Sequence, residues 1–299
     1  MGKKMEYVRL DWFTDDSSFP FFIQYGEHEK RLFIHTHENF SELVIVLSGR
    51  ATHIVNGVHY PISHGDVFVI NENTEHGYAD PIDFKICNIM FDPKTLFSNE
   101  LDIKRSVGFN ALFVIEPHFS SEQKFSSVLR LGIKDFGLIC SMISEILTEY
   151  KADLVGRKTI IQAKFLQMIV ILSRAYSESA EGINSNIFYL ADTVAFMQNN
   201  FTKHLKVEDL AKMTNLSVRH FSRIFSDMYK ISPNEYIMRL RLDYAKKLLL
   251  TTDMSITEIS DRSGFQSSNY YSRLFRKLYN MSPMEYRKAS LSNINSHKN

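Results

Sequence analysis

Ser222-Arg-Ile-Phe-Ser-Asp-Met-Tyr-Lys-Ile-Ser-Pro-Asn-Glu-Tyr236 returns fifty positions later as Ser272-Arg-Leu-Phe-Arg-Lys-Leu-Tyr-Asn-Met-Ser-Pro-Met-Glu-Tyr286, with eight of the 15 positions identical. At the apolar sites Ile exchanges with Leu or Met, and Met with Leu. Upstream the match continues at an offset of 49, pairing Leu210-Ala211 with Ile259-Ser260 and Asn215-Leu216 with Gly264-Phe265. The change of offset places an insertion or deletion in a turn. A unit that recurs at fixed spacing is a duplicated supersecondary element.

Each unit reads as helix, short turn, helix. In the first, Lys206 to Met213 is a short helix, Thr214-Asn-Leu216 is the turn, and Ser217 caps the next helix. In the second, Ser255-Ile-Thr-Glu258 is a capping box and Ser263-Gly264-Phe265 is the turn; Ser267 or Ser268 caps a helix running to Lys277. Two helices joined by a three- or four-residue turn form the helix-turn-helix pattern, whose second helix enters the DNA major groove. Leu216, Phe221 and Phe225, like Phe265, Tyr271 and Phe275, fall at spacings that bury one face. The other face presents Arg219, Ser222 and Arg223, or Asn269, Ser272 and Arg273, side chains suited to base edges and phosphates. An ordinary bundle with solvated Arg and Lys would look similar in one copy. Repetition and charge argue against it: residues 201–299 hold 17 Lys and Arg against 9 Asp and Glu, net +8, while residues 1–200 hold 18 against 25, net −7. A joining helix from Pro233 to Leu250 would hold two reading helices apart, suiting major-groove segments about 10 base pairs apart.

Residues 187–290 resemble the DNA-binding domain of the arabinose-regulator (AraC/XylS) family. The signature residues are Ala245-x-x-Leu-Leu, Ser255-Ile-x-Glu-Ile, Gly264-Phe265, Tyr271-Ser-Arg-Leu-Phe275 and Ser282-Pro283-x-Glu-Tyr286-Arg287. The resemblance implies double-stranded promoter DNA and RNA polymerase as partners. It assigns base contacts to Arg219, Ser222 and Arg223 in the first motif and to Ser268, Asn269, Ser272 and Arg273 in the second. Ser260-Asp-Arg-Ser263 departs from the family, which usually has Ala near the helix start and Val before the Gly. These are packing positions, so slightly altered stability is expected there.

The first part of the chain changes period. From Phe19 to about Met90 short strands are spaced by turns such as Asn56-Gly57 and His64-Gly65-Asp66, which suggests a small antiparallel barrel or sandwich. Ile133 to Tyr150 and Lys158 to Ala175 read as helices. Ser177 to Asn186 is polar and turn-prone. The expected fold class is α+β in two domains. The divisions are a cupin-like sensor barrel over 1–118, a helical dimerisation segment over 119–176, a linker over 177–186, the DNA-binding domain over 187–290 and a tail over 291–299. Leu138, Met142, Ile146, Ile161, Phe165, Met168 and Leu172 would serve either a homodimer, as the family resemblance implies, or packing onto their own barrel.

Seven of the 11 histidines lie between His28 and His76. His35-Thr-His37-x4-Glu42-x6-Gly49 matches the first motif of the cupin barrel, and Gly65-x5-Asn71-x4-His76 is a partial second motif. Three readings of His35, His37, Glu42 and His76 compete: a divalent transition-metal site, a sugar pocket without metal, and hydrogen-bonded residues of the barrel wall. Trp12, Phe22 or Phe33 would supply the aromatic platform a sugar needs, although core packing is the plainer role for each. His35-x-His37-Glu38, Gly65-Asp-Val-Phe and Tyr78-Ala-x-x-x-Asp83-Phe resemble the rhamnose-operon activators within the family. That resemblance implies a small sugar effector such as L-rhamnose and a gene activator. The main rivals are a metal-dependent cupin enzyme fused to a DNA-binding domain and an architectural DNA binder with an inert barrel. No apolar run follows Met1-Gly-Lys-Lys-Met, and Ile160 to Leu172 is too short and too interrupted to cross a bilayer, so a cytoplasmic, non-membrane protein is expected. Cys87 and Cys140, with no CxxC pair, read as buried thiols.

Overall fold

Asn56 and Gly57 both take positive φ, 47° and 79°, and close the predicted hairpin between residues 55 and 58. A computed structural model describes residues 6–28, 33–97, 101–121, 129–152, 154–179 and 186–296. It divides into two compact units, 1–192 and 193–299. The first unit contains strands β1 (Glu6–Val8), β2 (Phe21–His28), β3 (His35–His37), β4 (Ser41–Val55), β5 (Val58–Ser63), β6 (Asp66–Ile70), β7 (His76–Phe91) and β8 (Leu129–Arg130). They form one sheet in the order β1-β3-β7-β4-β6-β8, with β2 also on β7 and β5 also on β4. Only β1 and β3 run parallel among these pairs.

The sheet bends where β4 passes Gly49. The β4–β7 register shifts repeatedly between Val46 and Thr52, and Gly49 sits at φ +69°, where a Cβ would lie 2.2 Å from the Ile82 carbonyl oxygen. Bulges of this kind turn a strand sharply, and only glycine fits so close a backbone. Before the bend β4 pairs with β6; after it, with β5. Val44, Val46, Ala51, Ile62, Phe68, Ile70, Tyr78, Phe84 and Ile86 from both halves then share one core. This is the cupin-like barrel read from the turns.

The rest of the first unit is helical: α1 (Pro93–Leu96), α2 (Val107–Phe109), a π-helical stretch (Asn110–Ile115), α3 (Glu116–Ser121), α4 (Ile133–Lys151) and α5 (Arg157–Ser179). Phe165 of α5 lies 5.3 Å from Phe21 and 5.1 Å from Phe91 in ring centroids, so α5 covers the face of β2 and β7. Met142, Ile146, Ile161, Phe165, Met168 and Leu172 are buried in their own chain, whereas Leu138 is exposed. Cys87 is buried but Cys140 is half-exposed, because it lies one residue off the buried stripe of α4, Ile139, Met142, Ile143 and Ile146.

Some boundaries differ from the sequence reading. The stretch 119–176 is not helical throughout, since β8 pairs Leu129 and Arg130 with Val67 and Asp66; two residues at a sheet edge carry no periodic pattern. Of the predicted linker, Ser177–Ser179 ends α5 and Asn186 opens α6 (Asn186–Asn200), leaving 180–185 outside the described residues.

The second unit is all helix: the later part of α6, then α7 (Val207–Met213), α8 (Val218–Tyr229), α9 (Pro233–Thr251), α10 (Ile256–Arg262), α11 (Ser268–Tyr279) and α12 (Pro283–Ser296). Residues 291–296 continue α12 rather than forming a separate tail. The duplication in sequence is a duplication in packing. Phe225 stands 4.6 Å from Tyr229 and 5.3 Å from Tyr236, and Phe275 stands 4.5 Å from Tyr279 and 5.6 Å from Tyr286. Lys230 and Asn280, fifty apart, end their helices in the same left-handed conformation.

Candidate functional site

The two reading helices begin from matched caps. Ser217 accepts from the His220 amide at 3.3 Å and Ser267 from the Tyr270 amide at 3.4 Å, each satisfying one otherwise unpaired donor of a helix start. Ser255 and Glu258 form both hydrogen bonds of the capping box. The turns before these helices contain Asn215 at φ 55° and Gly264 at φ +81°, the pair aligned at the offset of 49.

From those caps the helical period decides which side chains face out. Phe221, Ile224 and Phe225 are buried on α8, and Tyr271 and Phe275 on α11. Arg219 and Arg223, with Asn269 and Arg273, are exposed, while Ser222, Ser268 and Ser272 are half-buried. Among the described residues Arg219, Arg223 and Arg273 enter no ion pair, so their guanidinium groups stand ready for an external acceptor. Arg276, one turn beyond Ser272, is held 3.5 Å from Glu285.

In the first unit, β3 and β7 bring His35 opposite His76. His35, His37 and His76 place one ring nitrogen each within 4.8 Å of one another. His37 Nε2 and His76 Nε2 are 3.0 Å apart, and Glu42 Oε2 lies 3.6 Å and 3.8 Å from them. His37, His76 and Glu42 are all buried. Burial lowers His37 to about 3 and His76 well below its usual range, and raises the Glu42 carboxyl to about 8. All three groups are therefore neutral near pH 7, and the carboxyl contacts are too long for hydrogen bonds and are not ion pairs.

Sequence reasoning missed His53. It is buried, stacks on Phe68 and Tyr78, and its ring lies 5.8 Å from that of His76. The signal was present: His53 shares the inward face of β4 with Ala51 and Val55. His53 and Thr74 are the polar residues lining a small, otherwise apolar hollow with room for about one water, walled by Val55, Phe68, Val69, Ile70 and Pro117. Of the three proposed platforms, Phe33 lies beside the cluster, 5.3 Å from His35. Phe22 packs instead against Phe13 and Tyr150, and Trp12 is 60% exposed at the end of a short 3-10 turn, with no contact to the histidines among the described residues.

The donor set fits a divalent transition metal. One ring nitrogen each of His35, His37 and His76 converges, and the Glu42 carboxyl lies 3.6 Å and 3.8 Å from the Nε2 atoms of His37 and His76. Lone pairs pointed at one another over 3 Å are offset by a proton or a cation between them.

A helix-turn-helix domain model matches residues 210–289, and a cupin domain model matches residues 21–84. The HTH-type transcriptional activator RhaS of an Enterobacter species is 30% identical over 238 residues, covering 79% of this chain and 80% of the relative. The chain belongs to the AraC family. Another relative within it, the HTH-type transcriptional activator RhaR of Mannheimia succiniciproducens, is 25% identical over 260 residues, 87% of this chain and 88% of its own. A crystal structure of the DNA-binding domain of AdpA with a target DNA is 32% identical, covering 35% of this AraC-family chain and 94% of that one, at a TM-score of 0.34. No helix among the described residues is long and apolar enough to cross a membrane.

Proposed function

We propose that this chain is a cytoplasmic activator of carbohydrate-utilisation genes. It binds double-stranded promoter DNA through α8 and α11 in two successive major-groove segments, works with RNA polymerase there, and responds to a small sugar such as L-rhamnose held by the N-terminal unit. The observation that carries the reading is the duplicated reading face, with unpaired Arg223 and Arg273 fifty residues apart on a segment of net charge +8. The relatives named transcriptional activators support the activator part, and the Rha names support the sugar. Exposed Ile133, Leu138, Leu154, Val155 and Ile160 on and between α4 and α5 are what a second copy would cover in a homodimer.

The test is operator binding at fixed salt. Arg219→Ala, Arg223→Ala and Arg273→Ala should each weaken it, since an arginine reading guanine contributes about 1–3 kcal/mol of discrimination. Unchanged affinity in all three would sink the docking. For the effector, L-rhamnose at about 100 times its dissociation constant should stabilise the full chain by about 2.7 kcal/mol.

The convergence of three imidazoles favours a second reading of the sensor, in which His35, His37, His76 and Glu42 hold a divalent transition metal. Elemental analysis of protein purified without chelator should then find stoichiometric metal, lost in His37→Ala. Metal accompanied by turnover of sugars or catechols would favour the metal-dependent enzyme instead. No metal, with the sugar response intact, would leave the cluster as a polar pocket or wall.

A further inference from the structure

Arg241 stands on the buried stripe of α9, in phase with Ile237, Ala245 and Leu248, and is only 8% exposed. Its Nε donates to the Phe201 carbonyl at 2.7 Å and its Nη2 to the Lys203 carbonyl at 2.8 Å. Both carbonyls lie in the turn that follows the C-terminus of α6. A planar guanidinium satisfies the two in one fixed orientation, which a lysine ammonium does not. One position later, Thr202 meets the second motif. At Gly264 a Cβ would lie 2.3 Å from the Thr202 carbonyl oxygen and 2.7 Å from its Cα, and φ is +81°, so the turn between α10 and α11 sits directly on this backbone. Tyr244 of α9 packs its ring 5.5 Å from Phe201. The chain then enters α7, the first helix of the first motif, at Val207.

Residues 201–203 thus touch α9 and the turn of the second motif and lead into the first motif. The motifs are joined along the chain by α9, whose 19 residues span about 28 Å, whereas the 201–203 contact is non-covalent. A pivot of about 7° over that length would move one reading helix by about 3.4 Å, one base-pair step. A second anchor away from the α9 axis blocks that pivot. We propose that Arg241, acting through the Phe201–Lys203 segment, is the positioning residue that sets the half-site spacing this chain accepts. The inference rests on both reading helices docking in the DNA.

The test uses the full chain and duplexes built on an operator selected by the unaltered protein, with half-site centres 9, 10, 11 and 12 base pairs apart. Affinities are read by fluorescence anisotropy at one salt concentration. The unaltered chain should prefer one spacing by about tenfold over its neighbours, the cost of misplacing one set of base contacts. Arg241→Met should reduce the contrast to about threefold or less by weakening binding at the preferred spacing, and Arg241→Lys should fall between. A loss of stability alone would lower all four affinities together. If Arg241→Met fails to fold, Arg241→Lys carries the test. A folded Arg241 variant set that keeps the full contrast overturns the inference. An unaltered chain with no spacing preference overturns the two-helix docking on which it rests.

Discussion

Ser260 and Ser263 occupy the places in the second motif that Ala211 and Thr214 occupy in the first, at the offset of 49. All four are buried. Thr214 Oγ1 donates to the Ala211 carbonyl at 2.7 Å, whereas the hydroxyls of Ser260 and Ser263 have no partner among the described residues. An unpaired buried hydroxyl costs about 1–3 kcal/mol of desolvation. Ser260→Ala, which restores the residue of the first motif, should therefore raise the thermal unfolding midpoint of the DNA-binding unit, by a gain of about 1 kcal/mol; a fall would show the hydroxyl to be paired. The departure from the family noticed in the sequence thus has a cost at a definable atom. Single residues were legible to different degrees. His35, His37, Glu42 and His76 were visible through their spacing, and His53 could have been read from its alternation with Ala51 and Val55, whereas Arg241 needed a neighbour from elsewhere in the chain before its role could be seen.

Among the elements, the segment holding α2 and α3 shows how tightly the sensor grips its last helix. A Cβ at Gly108 would lie 1.8 Å from the Ser173 carbonyl oxygen, so α2 lies against the backbone of α5. Further along, the Tyr176 hydroxyl donates to Glu116 Oε1 at 2.5 Å, with both residues buried. Tyr176 is in the last turn of α5, just before residues 180–185. Tyr176→Phe removes a donor to a buried carboxyl group and should destabilise the sensor unit by about 1–3 kcal/mol, read as a lowered urea midpoint. An unchanged midpoint would show that α3 does not depend on this bond. The long helices α4 and α5 were read from their periodicity to within a few residues. The short helices between residues 93 and 121 and the two-residue β8 were not, because elements of one turn or one pair of hydrogen bonds have too few positions for a period to show.

For the whole molecule, the separation of charge is the property that reaches furthest. The +8 segment after residue 200 should make DNA affinity fall steeply with salt, with a slope of about −0.9 per phosphate neutralised. Lys277, exposed near the end of α11, is placed for a phosphate, so Lys277→Ala should reduce the slope by about one and leave base preference unchanged. A slope unchanged by that substitution would remove Lys277 from the interface. The sequence by itself determined the duplicated helix-turn-helix, its caps and turns, its outward arginines and the strand-rich sensor, because each depends on residues within a few positions of one another. Tertiary structure alone decided that Arg241 caps a segment 40 residues away, and it set the 3.0 Å contact between the His37 and His76 rings that the motifs had only grouped. It also decided which face of α5 the barrel covers. These contacts follow from strand register and helix packing, where a slip of one residue turns a side chain to the opposite face, and no local pattern encodes that choice.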